Sequence, residues 1–222
     1  RKQMPDLEKM KFQIADSSLH QHKVLVRFEA VNYKINNLDL WLNDINFEIN
    51  GNTSLHITGE NGSGKTTIIN LILNNIKSSK GIIYNNINKS IYIDQDYKII
   101  LSDLSVFQQA QQYNNEGLQE HEVKIKLTHF LFFENEWDKP CNVLSGGEKM
   151  RLLLCCLTMN KIQPELIILD EPSNNIDIQS TEILINTLNS YSGAMIVISH
   201  DQAFIESLKP FQKTLHLEKN HK

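Results

Sequence analysis

A chain of 222 residues, 41% hydrophobic and 22% charged, is long enough to bury a full core and has the composition of an ordinary globular protein. Its formal net charge of −4 excludes binding to bulk nucleic acid by overall charge, though not through a local basic patch. No apolar run approaches the ~18 residues of a membrane-spanning helix, and three cysteines without a CxxC pair (Cys141, Cys155, Cys156) argue for reduced, buried thiols in a cytoplasmic protein rather than a disulfide framework.

Residues 1–22 are polar and mixed in charge and read as the tail of a linker. The chain starts RKQMPDLEKMK, without an initiating methionine, so a piece of a longer polypeptide is expected. From Val24 the run VLVRFEAVNY alternates apolar and polar residues as a half-buried strand does. A second alternating run, INFEI (45–49), meets Asn50-Gly51, a hairpin turn signal, and SLHITG (54–59) follows as a strand. TTIINLILNNI has the dense apolar repeat of a buried helix. GIIY and SIYI, within 81–93, read as short strands joined by an Asn-rich turn.

The middle third, about 97–160, is expected to be mainly helical: VFQQAQQY, EVKIKLTHFLFF and LSGGEKMRLLLCCL. The QQAQQ patch reads as a solvated helix face. ELIILD (165–170) and AMIVISH (194–200) suit strands buried on both faces, with STEILINTLNSY as the crossover helix between them. Strands alternating with helices predict an α/β fold with a mostly parallel sheet and a helical insertion.

Gly59–Thr66 is GENGSGKT, which fits G-x-x-x-x-G-K-[ST] and lies between a predicted strand and a predicted helix, as that phosphate loop requires. Its glycines let backbone N–H groups wrap phosphates, Lys65 supplies a point charge and Thr66 a hydroxyl for Mg²⁺. Gly59, Asn61, Gly62, Ser63, Gly64, Lys65, Thr66 and Thr67 are the predicted phosphate-binding residues of a nucleotide site. LIILDE (166–171) delivers Asp170 to the carboxyl end of a buried strand, where it would hold Mg²⁺. The adjacent Glu171 could take a proton from an attacking water. His200 ends the next apolar run. A lone histidine there is more often structural, but beside a γ-phosphate it could contact the phosphate or the water. His20-x-His22 and His56 lack further ligands and are not read as metal sites.

In LSGGEKMRLLL, Ser145 and Glu148 complete a capping box, but Gly146 and Gly147 remain unexplained, since glycine costs about 1 kcal/mol in a helix interior. Bare N–H groups at a helix start form an anion site.

With GENGSGKT, LSGGE, LIILDEP and SHD in that order, the sequence resembles an ATP-binding cassette ATPase domain over nearly all of residues 24–218. The resemblance implies a P-loop NTPase with a mostly parallel core sheet, an antiparallel β subdomain and a helical subdomain. It also implies a Mg-dependent ATPase in which two cassettes meet head to tail, with Ser145, Gly146, Gly147 and Glu148 acting on the partner's ATP. By the same resemblance Tyr33 stacks on adenine, Gln95 senses Mg²⁺ and the attacking water, and Asp177 belongs to the interface loop. Asp94 stands where many relatives have proline.

EPSNNID resembles the EPTNHLD of the ABC-F branch, with Ser173, Asn175 and Ile176 as departures; SGGEKMRLLL and GAMIVISHDQAFI are similar to it too. That branch implies a second cassette of a two-cassette protein acting on the ribosome, as a translation factor or in antibiotic resistance. The alternative is the soluble ATPase subunit of a membrane transporter. A scaffold that uses ATP only as dimer glue is disfavoured by intact Lys65, Asp170, Glu171 and His200. Residues 23–222 are the expected cassette domain.

Overall fold

The computed structural model describes residues 23–159 and 163–220; the linker tail expected over 1–22, with His20 and His22, lies outside them. Two compact units divide the described chain. One comprises Ile93–Gln163 and Ser173–Tyr191, and the other the segment up to Tyr92, Pro164–Pro172 and the chain from Ser192.

The second unit contains the sheets. β1 (Val24–Asn32) is the middle strand of a three-stranded antiparallel sheet, between β4 (Ile45–Asn50) and β6 (Lys80–Asn85). A five-stranded sheet has the order β10-β5-β9-β8-β7, from β5 (Ser54–Thr58), β7 (Ser90–Ile93), β8 (Leu166–Asp170), β9 (Ala194–Ile198) and β10 (Lys213–His216). The β10–β5, β5–β9 and β8–β9 pairs are parallel. Every residue of β8 and β9 is buried, which is why LIIL and AMIVI read as unbroken apolar runs rather than alternating ones. α1 (Lys65–Ile72) buries Ile68, Ile69, Leu71 and Ile72 in the core shared by both sheets, with Phe28, Trp41, Leu55, Ile57 and Ile196. α6 (Gln202–Ser207) follows β9, capped by Asp201, whose carboxylate accepts from Phe204 N.

Two strand expectations need correction. Asn50-Gly51 does not close a hairpin. Asn50–Thr53 is a tight turn (Thr53 N to Asn50 O, 3.0 Å) that passes the chain from the antiparallel sheet to the parallel one. The turn residues were legible, but β9 and β10 offer β5 parallel partners that local sequence does not encode. GIIY and SIYI are likewise strands of different sheets, β6 and β7. A small ribbon, β2 (Lys34–Ile35) with β3 (Leu38–Asp39), was not expected. Its turn residues Asn36 and Asn37 both have positive φ, 51° and 66°, as a two-residue turn of the primed type requires.

The other unit is helical. α2 (Val106–Gln112) packs against α3 (Glu120–His129) and α4 (Gly146–Thr158), and α4 against α5 (Ile178–Ser190). α4 is buried over most of its circumference: Met150, Leu152, Leu153, Leu154, Cys155, Cys156 and Leu157. Burial pushes the thiols of Cys141 and Cys156 up, Cys141 to about 11, which keeps them protonated and inert. The glutamine patch is not wholly solvated. Gln109 is fully buried, with its side-chain oxygen accepting from Leu101 N at 2.9 Å; α2 is short, and this face meets its helical neighbours.

Candidate nucleotide site

In the sheet-bearing unit, β5 runs into the loop 59–64 and then α1. Gly59, Gly62 and Gly64 have φ of 144°, 78° and 94°, values that side-chain-bearing residues avoid. α1 starts at Lys65 with Gly64 as its N-cap and no side-chain cap, leaving its first N–H groups without the hydroxyl or carboxylate acceptor that serves α2, α4, α5 and α6. A helix start of this kind favours an anion. The Lys65 ammonium curls back over its own loop, donating to Gly59 O at 2.6 Å and Glu60 O at 3.1 Å.

β8 and β9 end side by side and deliver three more predicted residues. Lys65 Nζ lies 3.3 Å from His200 Nε2. The same Nε2 is 3.4 Å from Glu171 Oε1, and the His200 N–H donates to Glu171 Oε2 at 3.2 Å. A neutral imidazole with its proton on Nδ1 accepts from Lys65, whereas one protonated on Nε2 donates to Glu171. One ring nitrogen therefore stands between a cation and a carboxylate.

Glu171 is 7% exposed and has φ 52°, unusual for a long side chain and a form of strain that gathers at functional sites. Its N–H bonds to Ile198 O at 2.8 Å, so sheet pairing imposes that conformation. Asp170, also buried, accepts from the Tyr92 hydroxyl at 3.1 Å. Tyr92 escaped the sequence reading, since an alternating SIYI gives no sign of which strand end its hydroxyl meets. Thr66 and Asn61 are exposed, and Tyr33 is half-buried against the core after β1.

The remaining predicted residues belong to the helical unit. Gln95 is exposed, in a turn where Tyr97 has φ 53° and Lys98 N donates to Asp94 Oδ1 at 3.0 Å. At the start of α4 the capping box is complete: Glu148 N to Ser145 Oγ, 3.2 Å, and Ser145 N to Glu148 Oε2, 2.7 Å. Burial works to raise the Glu148 carboxyl, but Lys139 at 2.7 Å and the Ser145 bonds outweigh it and hold it below its usual range.

The two glycines have an intrachain reason that the sequence did not give. A β-carbon on Gly146 would lie 2.8 Å from Asn175 O, and one on Gly147 2.4 Å from Asp177 Oδ2. Asp177 caps α5, accepting from Ser180 N at 2.9 Å and Ser180 Oγ at 2.8 Å, while Arg151 of α4 lies 3.5 Å from Asp177 and donates to Ser180 Oγ at 2.7 Å. α4, the helix that opens with the LSGGE signature, and the loop at 175–177 are thus packed on one another. Arg151 was also missed, although an arginine directly ahead of the apolar run LLLCCL is a visible signal.

The family model described as ABC transporter matches residues 42–174. The chain belongs to the ATP-binding cassette family. This cassette is 36% identical over 167 residues to the probable ATP-binding protein YbiT of Escherichia coli O157:H7, covering 74% of the chain and 31% of that protein. It is 31% identical to the ATP-binding protein Uup of Escherichia coli (89% and 31% covered) and 32% identical to the ribosome protection protein VmlR of Bacillus subtilis (72% and 29%). Uup and VmlR agree with the ABC-F resemblance carried by EPSNNID. The chain spans about a third of the length of these curated relatives.

Among solved structures, the dimeric ATP-binding cassette MJ0796 bound to ADP and Pi superposes with a TM-score of 0.64 at 19% identity, covering 87% of this chain and 94% of that one. A bacterial Atm1-family ABC exporter with ATP bound gives 0.69 at 20% identity, covering 93% and 40%. These likenesses show the fold: a parallel sheet, a separate antiparallel sheet and a helical unit, as the resemblance implied.

Proposed function

We propose that this cassette binds and hydrolyses ATP, with each ATP enclosed between two cassettes, and that the protein carrying it acts on the ribosome. The observation that carries the ATPase reading is the convergence of Lys65, His200 and Glu171 beside the glycine loop, with Asp170, the last residue of β8, directly before Glu171. Loop N–H groups and Lys65 take the phosphates. Glu171 accepts the proton of the attacking water, and His200, held by Glu171, orients that water or the γ-phosphate. Tyr33 supports the adenine.

Oxygen donors suit Mg²⁺, which keeps most of its waters and needs only one or two protein oxygens beside the phosphates. Thr66 and Asp170, both of the sheet-bearing unit, are oxygen donors of that kind; Gln95 is a candidate by the family resemblance alone. Bound there, the ion would neutralise charge on the phosphate oxygens. Among the described residues no group of three or more His, Cys, Asp or Glu forms a separate metal cage.

The Ser145–Glu148 helix start serves the ATP of the partner, a second cassette on the same full-length chain or another copy, and Asp177 lies in the loop at that interface. Its N–H groups and dipole favour the γ-phosphate. No helix among the described residues is long and apolar enough to cross a membrane.

The ribosomal reading, with a cytoplasmic location, is supported by the similarity to the ribosome protection protein VmlR and by the branch resemblance. A membrane-transporter ATPase subunit is the second reading, favoured by the family description and by the exporter likeness. Full-length protein carrying Glu171→Gln, with the matching change in any fused cassette, decides between them on a sucrose gradient. ATP-dependent co-migration with ribosomes in moderate salt is the expected result. Retained ATP without co-migration would move the assignment to the transporter.

A further inference from the structure

Trp41 is 1% exposed, and its indole N–H donates to the carbonyl of Ser63, inside the glycine loop, at 2.8 Å. Its ring also lies against Gly64: a β-carbon there would sit 2.8 Å from Trp41 Nε1 and 2.7 Å from Leu40 Cδ2. A trans peptide is planar, with its C=O and N–H pointing in opposite directions, and the described chain has no cis peptide. Holding the Ser63 carbonyl toward Trp41 therefore turns the Gly64 N–H the other way, off the indole side. Gly64 has no side chain to resist rotation of that plane, so the loop itself does not fix it.

The indole is in turn held at both ends of its own backbone. Asn32, 1% exposed, accepts from Trp41 N at 3.2 Å and donates to Trp41 O at 3.1 Å. The same Asn32 oxygen accepts from Tyr33 N at 2.9 Å, and Leu40 N returns to Tyr33 O at 2.7 Å. Leu42 N bonds to Glu218 O and Asn220 N to Leu40 O, fixing the segment from its other side.

We propose that Trp41 is a positioning residue for phosphate binding. Its indole N–H locks the Ser63–Gly64 peptide so that the Gly64 N–H serves as a phosphate donor, and Asn32 ties that lock to the segment bearing Tyr33. The inference rests on the nucleotide reading and adds a residue outside its motifs.

The test replaces Trp41 with benzothienylalanine, an isostere whose sulfur takes the place of the N–H, alongside Trp41→Phe and Lys65→Ala. Binding of tripolyphosphate, which engages the loop without the adenine region, and of ATP is measured by calorimetry, and the ligand-free melting temperature is recorded. Without that bond the Ser63–Gly64 peptide must be ordered when the ligand binds, a cost that corresponds to about five- to tenfold weaker binding. That factor is expected for both ligands in the isostere, with the ligand-free melting temperature lowered by no more than a few degrees, the cost of the bond itself.

Wild-type affinity in the isostere, while Lys65→Ala abolishes binding, would overturn the role of Trp41 and leave the nucleotide reading standing. So would a loss of affinity matched by a collapse in ligand-free melting temperature. A wild-type chain that binds neither ligand would remove the nucleotide reading and this inference together.

Discussion

A β-carbon on Gly147 would meet Asp177 Oδ2 and Ser180 Oγ, the latter at 2.7 Å, and neither atom is the free end of a flexible chain. Asp177 and Ser180 bond to one another and to Arg151. Gly147→Ala is therefore expected to destabilise the chain by about 1–3 kcal/mol, the usual range for overpacking, read from urea unfolding without nucleotide. An unchanged midpoint would mean the loop yields and that only the phosphate reading explains the glycine. The GG pair was visible in sequence as a conflict with helix propensity. Its packing partner, some thirty residues away, was not.

Glu171→Gln belongs to the same scale. Its amide oxygen can still accept from His200 N, so the strand end is kept while the base is lost. Hydrolysis is expected to fall by at least about a hundredfold, the range for general-base removal, with ATP retained on the protein. Turnover within a few-fold of wild type would take the base role from Glu171.

At the scale of elements, helix starts were more legible than strand partners. Ser145 with Glu148 was read correctly because a capping box is a local pattern. β4 and β5 were read as strands, but β5 leaves the sheet of β4 to pair with β9 and β10, more than a hundred positions away. Ser145→Ala should cost about 1 kcal/mol as a lost cap, measured as a fall in the denaturation midpoint.

Acid should act on this same region. Glu148 and Asp177 are each subject to burial, which raises a carboxyl, but their bonds to Lys139 and Ser145, and to Ser180 and Arg151, leave both below their ordinary values of 4.5 and 3.8. Folded values below the unfolded ones mean that both groups stabilise the fold above those ordinary values, and that this contribution is lost as pH falls through the folded ones. Stability is expected to drop as pH falls below about 4.5. Glu148→Gln with Asp177→Asn should flatten that limb of the pH profile, and an unaltered slope would place the acid sensitivity elsewhere.

For the whole molecule, the motifs of the sequence fall into two sets. The glycine loop, Asp170, Glu171 and His200 belong to the sheet-bearing unit, and Gln95, Ser145–Glu148 and Asp177 to the helical one. The first set was legible because each residue closes an apolar strand or opens a helix. What lay beyond sequence was the support behind them: Tyr92 on Asp170, Trp41 on Ser63 and Arg151 on the interface loop, all set by distant pairings.

The central claim is that ATP is hydrolysed between two cassettes, one giving its glycine loop and the other its signature helix. Two variants test it: Lys65→Ala, which spoils the loop, and Ser145→Arg, which fills the signature helix start. Each alone should be nearly inactive, and each keeps the half the other lacks. Mixing them should restore hydrolysis, to a level that rises with chain concentration. A mixture as inactive as its components, beside a wild-type chain that turns over, would show that a single cassette completes its own site and would contradict the account.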